Sequence, residues 1–135
     1  AEIQQTSDIT YRVYDYDRVD AAGNTRELHT ELALEAISFE PASDASVSYE
    51  KHLNKTSTLV HSPYFKTNIL PIDGSVTQNL SSRDSFKILM SVAGEVTLEY
   101  ESHSIKLPTG TTCLLPASLT EVTVKGKGEL LEITL

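Results

Sequence analysis

From residue 41 onward, hydrophobic and polar residues alternate in short runs that end at glycine or proline. Val96, Leu98 and Tyr100, for example, alternate with Thr97 and Glu99. A period of two is typical of half-buried β-strands, and no helix-period segment separates these runs. Parallel strands need crossover helices, so the pattern favours antiparallel strands. We therefore predict a mainly β jelly roll, a double-stranded β-helix, over 41–135.

The same alternation predicts where the strands and turns lie. The predicted strands are 46–52, 58–61, 64–72, 86–92, 96–100, 104–107, 113–115, 119–124 and 130–135. Within one of them, a single face is expected to carry Phe86, Ile88, Met90 and Val92. Glycine and proline favour turns and strand edges, which predicts breaks at Gly74, Ala93-Gly94, Pro108, Gly110, Pro116 and Gly126.

Before residue 41, the sequence predicts one amphipathic helix over 24–37. Leu28, Leu32 and Ile37 recur at helical spacing, and Asn24 followed by Glu27 resembles a capping box. Upstream, 3–6 and 11–16 are predicted to be extended, with a turn at Ser7-Asp8 between them. The segment 42–46 is rich in serine and alanine and is the best linker. We therefore expect two parts, 1–40 and 41–135.

Charge and cysteine content narrow the classes of partner. The chain has 11 Lys and Arg against 19 Asp and Glu, a net charge of −8, which argues against nucleic acid or an anionic membrane as partner. No apolar run approaches the ~18 residues of a spanning helix. The amino terminus lacks the pattern of a signal peptide. The single cysteine, Cys113, excludes an intrachain disulfide and is expected to be buried and inert. These features favour a cytoplasmic protein.

The histidines do not indicate a metal site. The chain has four, His29, His52, His61 and His103, and none forms the His-x-His pair that would place two imidazoles on one side of a strand. Isolated histidines on a β fold are more often surface or half-buried residues than ligands. No metal ligand is predicted.

The stretch from Gly110 to Glu121 resembles the second motif of the cupins, a family of small jelly-roll barrels. In that motif, a glycine turn and a strand precede a proline and then a metal-binding histidine, whose place is taken here by Glu121. The first motif's His-x-His and glutamate are also missing, since 80–87 supplies Leu, Ser, Arg, Asp, Phe and Lys residues. The resemblance implies that 41–135 is a cupin-like barrel without its metal.

The segment from Glu2 to Arg18 resembles the stretch that follows the last zinc ligand in bacterial class I mannose-6-phosphate isomerases of the shorter form. The resemblance implies interconversion of mannose 6-phosphate and fructose 6-phosphate at a zinc held by a glutamine, two histidines and a glutamate. Those ligands would precede Ala1. The sequence does not begin with Met, and we interpret the chain as a carboxy-terminal portion, inactive alone. Its partners would be the hexose 6-phosphate and the missing amino-terminal catalytic half, which ends within 1–40.

The resemblance also implies two site residues. Arg12 fits the active-site arginine of a Ser-Asp-x-x-x-Arg motif, and Glu2 fits a carboxylate ten residues earlier that lines the sugar pocket. Moving a proton between C1 and C2 passes through an enediolate, so a fixed positive charge and a proton carrier suit the chemistry. Glu2 is either that carrier or an acceptor for a substrate hydroxyl.

Three other interpretations stay open at this point. Arg12 and Arg18, lying among aspartates, could form a solvated ion-pair cluster worth less than ~1 kcal/mol per pair. The chain could be a stand-alone, non-catalytic cupin-like module that binds a carbohydrate or a small acid. It could also be an assembly domain whose barrel only buries surface against a catalytic half.

Overall fold

The computed structural model describes residues 1–6, 9–40 and 46–135, and the chain divides into two compact units. The first is Glu2–Ala45; the second is Ser46–Leu135 together with Ala1. The predicted turn at Ser7-Asp8 and the predicted linker, except for Ser46, lie outside the described residues. In the described part of the chain, no helix is both long and apolar enough to cross a membrane.

The helix of the first unit, α1, is Thr30–Ala36, shorter than the predicted 24–37. The capping box at Asn24 is wrong, because the backbone N–H of Asn24 donates to Asp20 Oδ1 at 2.9 Å instead of beginning a helix. An isolated bridge between Val19 and Thr25 closes the same loop. Asp20 offers a local hydrogen-bonding alternative to the helix, which is how short polar side chains favour turns.

Three segments predicted to be extended form no strand among the described residues, namely 3–6, 11–16 and 46–52. In the second of them, the backbone N–H of Arg12 donates to the imidazole Nδ1 of His29 at 3.2 Å rather than to a neighbouring strand. Tyr16 and Asp17 then take left-handed φ values of 54° and 53°, which turns the chain. Alternation of hydrophobic and polar residues therefore did not produce a strand in these segments, because the described residues offer them no partner strand.

The second unit is built from antiparallel strands. They are β1 Ser57–His61, β2 Lys66–Asn79, β3 Lys87–Tyr100, β4 His103–Pro108, β5 Thr112–Leu115 and β6 Glu121–Thr134. Their order is β1-β2-β6-β3-β4, and β5 pairs with β3. The long strands β2, β6 and β3 are therefore the centre of the sheet. The predicted mainly β, jelly-roll fold with one short helix is confirmed.

Glycines predicted to end strands lie inside the long strands instead. Gly74 of β2 pairs with Gly126 of β6, and Gly94 of β3 pairs with Gly128. Before Gly94, β3 pairs with β5, and after it β3 pairs with β4. Gly94 therefore marks the point at which β3 passes from one neighbour to another, while β2 and β6 remain paired through Gly74 and Gly126. The predicted breaks at Gly74, Gly94 and Gly126 are wrong, because glycine can lie in the interior of a strand whose pairing continues on both sides of it.

A register shift between Ser91 and Ala93 changes which side of β3 faces the core. Before it, Leu89 and Ser91 are buried, and after it Val96 and Leu98 are buried. One extra residue in a strand switches the inward face from odd to even positions. The face that carries Ile88 and Met90, which sequence alternation grouped together, is therefore not the buried face of β3.

Aliphatic side chains from the long strands and from the segments between them form the core. Its buried members are Leu70, Ile72, Leu80, Leu89, Val96, Leu98, Leu107, Leu115, Val122, Val124 and Leu130. A few polar side chains are buried as well. Glu132 is 1% exposed, although it lies on the last strand between Leu131 and Ile133. A carboxylate so far from water requires bonded partners.

Candidate functional site

The first unit contains a carboxylate that faces three arginines. The side chain of Asp15 is 8% exposed and accepts a bond from Arg18 Nη2 at 2.7 Å and one from Arg26 Nε at 2.8 Å. Arg26 Nη2 donates to the same carboxylate, and Arg12 Nε lies 3.9 Å from Oδ1. The hydrogen bond from Arg26 is the main reason that the pKa of Asp15 lies well below its usual range; burial opposes this effect and Arg18 adds to it.

Arg12 is fixed by contacts at its backbone and its side chain. Its Nη1 donates to the carbonyl oxygen of Glu27 at 2.8 Å. Its backbone exchanges hydrogen bonds with His29: Arg12 N–H donates to Nδ1, and His29 N–H donates to the Arg12 carbonyl at 2.7 Å. His29 also stands at the N-cap of α1. The Arg12 side chain is 21% exposed, so Arg12 combines a held orientation with access to solvent.

Glu2, the other predicted site residue, is exposed. No hydrogen bond or ion pair joins it to Arg12 or to any other residue in the described ranges. The structure therefore places one of the two predicted residues in a bonded cluster and leaves the other outside it. The motif residues Ser7 and Asp8 lie outside the described residues.

Sequence reasoning missed the two residues that organise Arg12 and Asp15. Arg26 lies 11 residues after Asp15, and His29 lies 17 residues after Arg12. Neither spacing is a local motif, and both contacts depend on the loop closed by Asp20. The only available signal was an excess of charged residues within 12–27, which does not specify pairing. The ion-pair interpretation named Arg12 and Arg18, and the structure places both against Asp15; it did not include Arg26.

The cluster yields a prediction for Asp15→Asn. We expect amide hydrogen exchange of Arg18 and His29 to accelerate on the order of tenfold, since three guanidinium groups lose their shared carboxylate. Asp17→Asn is the matched control, because Asp17 is exposed and forms no ion pair with the residues that the structure describes; it should leave both rates unchanged. Equal rates in all three proteins would show that Asp15 does not hold the unit together.

The lowered pKa of Asp15 also predicts the pH dependence of this protection. A carboxyl whose folded pKa is depressed contributes stability above its ordinary pKa of 3.8, and the contribution disappears only as pH falls through the lower folded pKa. Protection factors for these amides should therefore persist at pH 4. A loss of protection between pH 6 and pH 4 would contradict the assignment.

The described residues do not fit a zinc site of their own. Within 1–6, 9–40 and 46–135, no group of three or more His, Cys, Asp or Glu side chains is placed to hold a metal ion. Glu121, which takes the place of a cupin histidine, is exposed at the start of β6. Cys113 is partly rather than fully buried, and this burial raises the pKa of its thiol, which makes it a poor nucleophile. That the barrel holds no metal stays a prediction.

Comparisons with known proteins decide the family. The family model described as the cupin domain of mannose-6-phosphate isomerase matches residues 55–135. The chain belongs to this family. Two Bacillus subtilis (strain 168) relatives, YvyI and ManA, are 36% and 32% identical over 93% and 95% of this chain. ManA carries the name mannose-6-phosphate isomerase, and YvyI carries it provisionally.

The crystal structure of the Bacillus subtilis mannose 6-phosphate isomerase is similar over 96% of this chain, with a TM-score of 0.76 and 33% identity. The match to that isomerase therefore extends beyond the cupin domain into the first unit. The chain spans only 40% and 41% of the two relatives and 41% of the crystallised protein. It corresponds to their carboxy-terminal portion, as the resemblance implied.

Proposed function

We propose that this chain is the carboxy-terminal portion of a zinc-dependent isomerase that interconverts mannose 6-phosphate and fructose 6-phosphate in the cytoplasm. The observation that carries the proposal is the similarity to the Bacillus subtilis isomerase over 96% of the chain. A shared cupin barrel alone would support only a fold, because one fold hosts many functions. Here the similarity also includes most of the first unit, which contains Arg12.

In this proposal, Arg12 acts on the sugar phosphate. Proton transfer between C1 and C2 develops negative charge on a substrate oxygen, and a guanidinium stabilises that charge without titrating. The bond from Arg12 Nη1 to the Glu27 carbonyl supports the role, because it holds the side chain in place before substrate arrives. Preorganised charge avoids the cost of reorientation during the reaction. The same planar group suits a phosphate.

Glu2 is proposed as the proton carrier or as an acceptor for a substrate hydroxyl. Its exposure leaves the carboxylate accessible to a ligand. The zinc ligands that the resemblance implies precede Ala1, so the residues of this chain are assigned to the sugar rather than to the metal. The missing amino-terminal catalytic half would complete the site around Arg12 and Glu2.

The test compares the 135-residue chain with the complete protein that includes the preceding residues, both supplied with zinc and mannose 6-phosphate. We expect fructose 6-phosphate to form only with the complete protein, because the residues of this chain that the structure describes are not placed to hold a metal ion. Turnover by the 135-residue chain would contradict the division of the site. A complete protein that holds zinc and forms no fructose 6-phosphate would contradict the isomerase assignment itself.

A further inference from the structure

The second unit contains a buried guanidinium to which no counter-charge is bonded. Arg83 lies between β2 and β3, and all three of its side-chain nitrogens are shielded from solvent without a hydrogen-bond partner among the described residues. No described carboxylate forms an ion pair with it, including that of its neighbour Asp84. A buried cation in this state is costly, because lost hydration is not replaced.

Glu132, the carboxylate whose charge acts on Arg83, is bonded to other groups. Its Oε2 accepts from the hydroxyl of Thr56 at 2.8 Å, and its Oε1 accepts from Lys87 Nζ at 3.0 Å and from the Gln78 amide. Lys87 is held in turn by Gln78 Oε1 at 3.2 Å. Glu132 and Lys87 therefore neutralise each other within a bonded network. No group in this network neutralises the positive charge of Arg83.

Arg83 also lines a cavity of about 290 Å³. Its walls carry further groups able to donate hydrogen bonds, the hydroxyls of Ser82, Ser85 and Thr134 and the ammonium of Lys87. Asp84 lines the cavity too, but it is exposed and can keep its charge in water. The cavity is small for a ligand pocket, for which volumes of roughly 300 Å³ and above are usual, so its occupant would be small.

The electrostatics of the cavity favour an anion. Burial lowers the pKa of the Arg83 guanidinium, and the nearby charge of Glu132 offsets only part of this effect. An oxyanion in the cavity would supply the missing counter-charge. Because the guanidinium nitrogens are shielded in this structure, the Arg83 side chain would turn toward the cavity to donate two parallel N–H···O bonds, a geometry that suits carboxylate and phosphate alike. Lys87 also lines the cavity, but Glu132 already neutralises its charge, so the counter-charge that is missing is that of Arg83.

We propose that the cavity at Arg83 binds a small oxyanion, the carboxylate or phosphate group of a metabolite. The site lies in the barrel of the second unit and is independent of the isomerase assignment. It requires neither zinc nor the residues before Ala1, so its failure and the failure of the proposed function are distinguishable.

The test titrates the 135-residue chain with inorganic phosphate or with acetate at constant ionic strength and follows the Tm. We expect at least one of the two anions to raise the Tm saturably, by about 5 °C or more at 100 times its Kd. Saturation by phosphate alone or by acetate alone would identify which group the site selects. Neither anion raising the Tm saturably would overturn the proposal.

Two substitutions of Arg83 and one control decide whether the effect belongs to this site. Arg83→Leu should abolish the saturable rise without lowering the Tm in the absence of anion, since it removes a buried charge that has no partner. Arg83→Lys, which keeps the charge but loses the planar fork, should weaken binding about tenfold or more. Lys106→Gln, at a side chain 74% exposed on β4, should bind like the unmodified protein. If the anion raises the Tm of Arg83→Leu as much as that of the unmodified protein, the anion binds elsewhere and the proposal is refuted. If Arg83→Leu does not fold, unchanged anion binding by Arg83→Lys would refute the proposal instead.

Discussion

Gly94→Ala is expected to lower the free energy of unfolding of the barrel by about 3 kcal/mol or more, whereas Gly110→Ala should cost only about 1 kcal/mol. Both glycines have left-handed φ values, +70° and +87°, so both variants share the backbone strain. They differ in space. A Cβ at Gly94 would clash with the backbone carbonyl oxygen of Lys127, while a Cβ at Gly110 would meet nothing within 4 Å.

The neighbour of Gly94 is backbone of a paired strand, which cannot move aside without loss of hydrogen bonds between β3 and β6. Urea denaturation of both variants measures the difference, with similar m values as the sign that the same structure unfolds. Equal destabilisation would show that conformational strain alone explains the glycine at position 94. The close packing of β3 on β6 would then not limit this position.

Within 57–135, the strand predictions were right for the short strands and failed at glycines inside the long ones. Alternation correctly indicated strands within 58–61, 104–107 and 113–115. It ended β2 before Gly74 and divided β3 at Gly94 and β6 at Gly126, because a glycine at a turn and a glycine inside a strand look the same in sequence. Only the pairing of strands distant along the chain distinguishes the two cases.

The length of the helix was overestimated for a similar reason. A helical period across 28–37 and a capping box at Asn24 predicted 14 residues (24–37), and α1 has 7. Asp20 competes for the amide of Asn24, and a single side chain to backbone contact of this kind is not visible in a periodicity. Of the predicted apolar face, only Ala33 is buried within α1.

The candidate site was accessible to sequence only through family resemblance. Arg12 was singled out by a motif, and composition alone would have favoured a solvated ion-pair cluster. Its fixed orientation depends on Glu27 and His29, which are 15 and 17 residues away. No sequence pattern indicated the buried contact between Lys87 and Glu132, which are 45 residues apart. Contacts of this range follow from the fold rather than from local pattern.

In the complete protein, Arg12→Ala is expected to lower kcat for the proposed isomerisation by about 10²–10³, the usual effect of removing one group that stabilises an oxyanion. If Arg12 acts mainly on the phosphate, the loss should appear in KM instead. Arg12→Lys retains the charge and should recover part of the activity, because the planar geometry is still lost. The comparison of kcat with KM thus separates the two roles.

Arg18→Ala is the matched control for that variant. Arg18 also donates to Asp15, at 2.7 Å, but its side chain is 63% exposed and it is assigned no role in the reaction. A loss caused merely by disturbing the Asp15 cluster would appear in both variants. We expect Arg18→Ala to change kcat/KM by less than about threefold, as surface ion pairs contribute little.

The most direct test of the central claim is turnover of mannose 6-phosphate by the complete protein, unmodified and with Arg12→Ala, at equal zinc content. We predict that kcat/KM collapses in Arg12→Ala although zinc occupancy is full, and that Arg18→Ala keeps near-normal turnover. Unchanged turnover in Arg12→Ala would show that Arg12 and its charged neighbours are scaffold and would contradict the account.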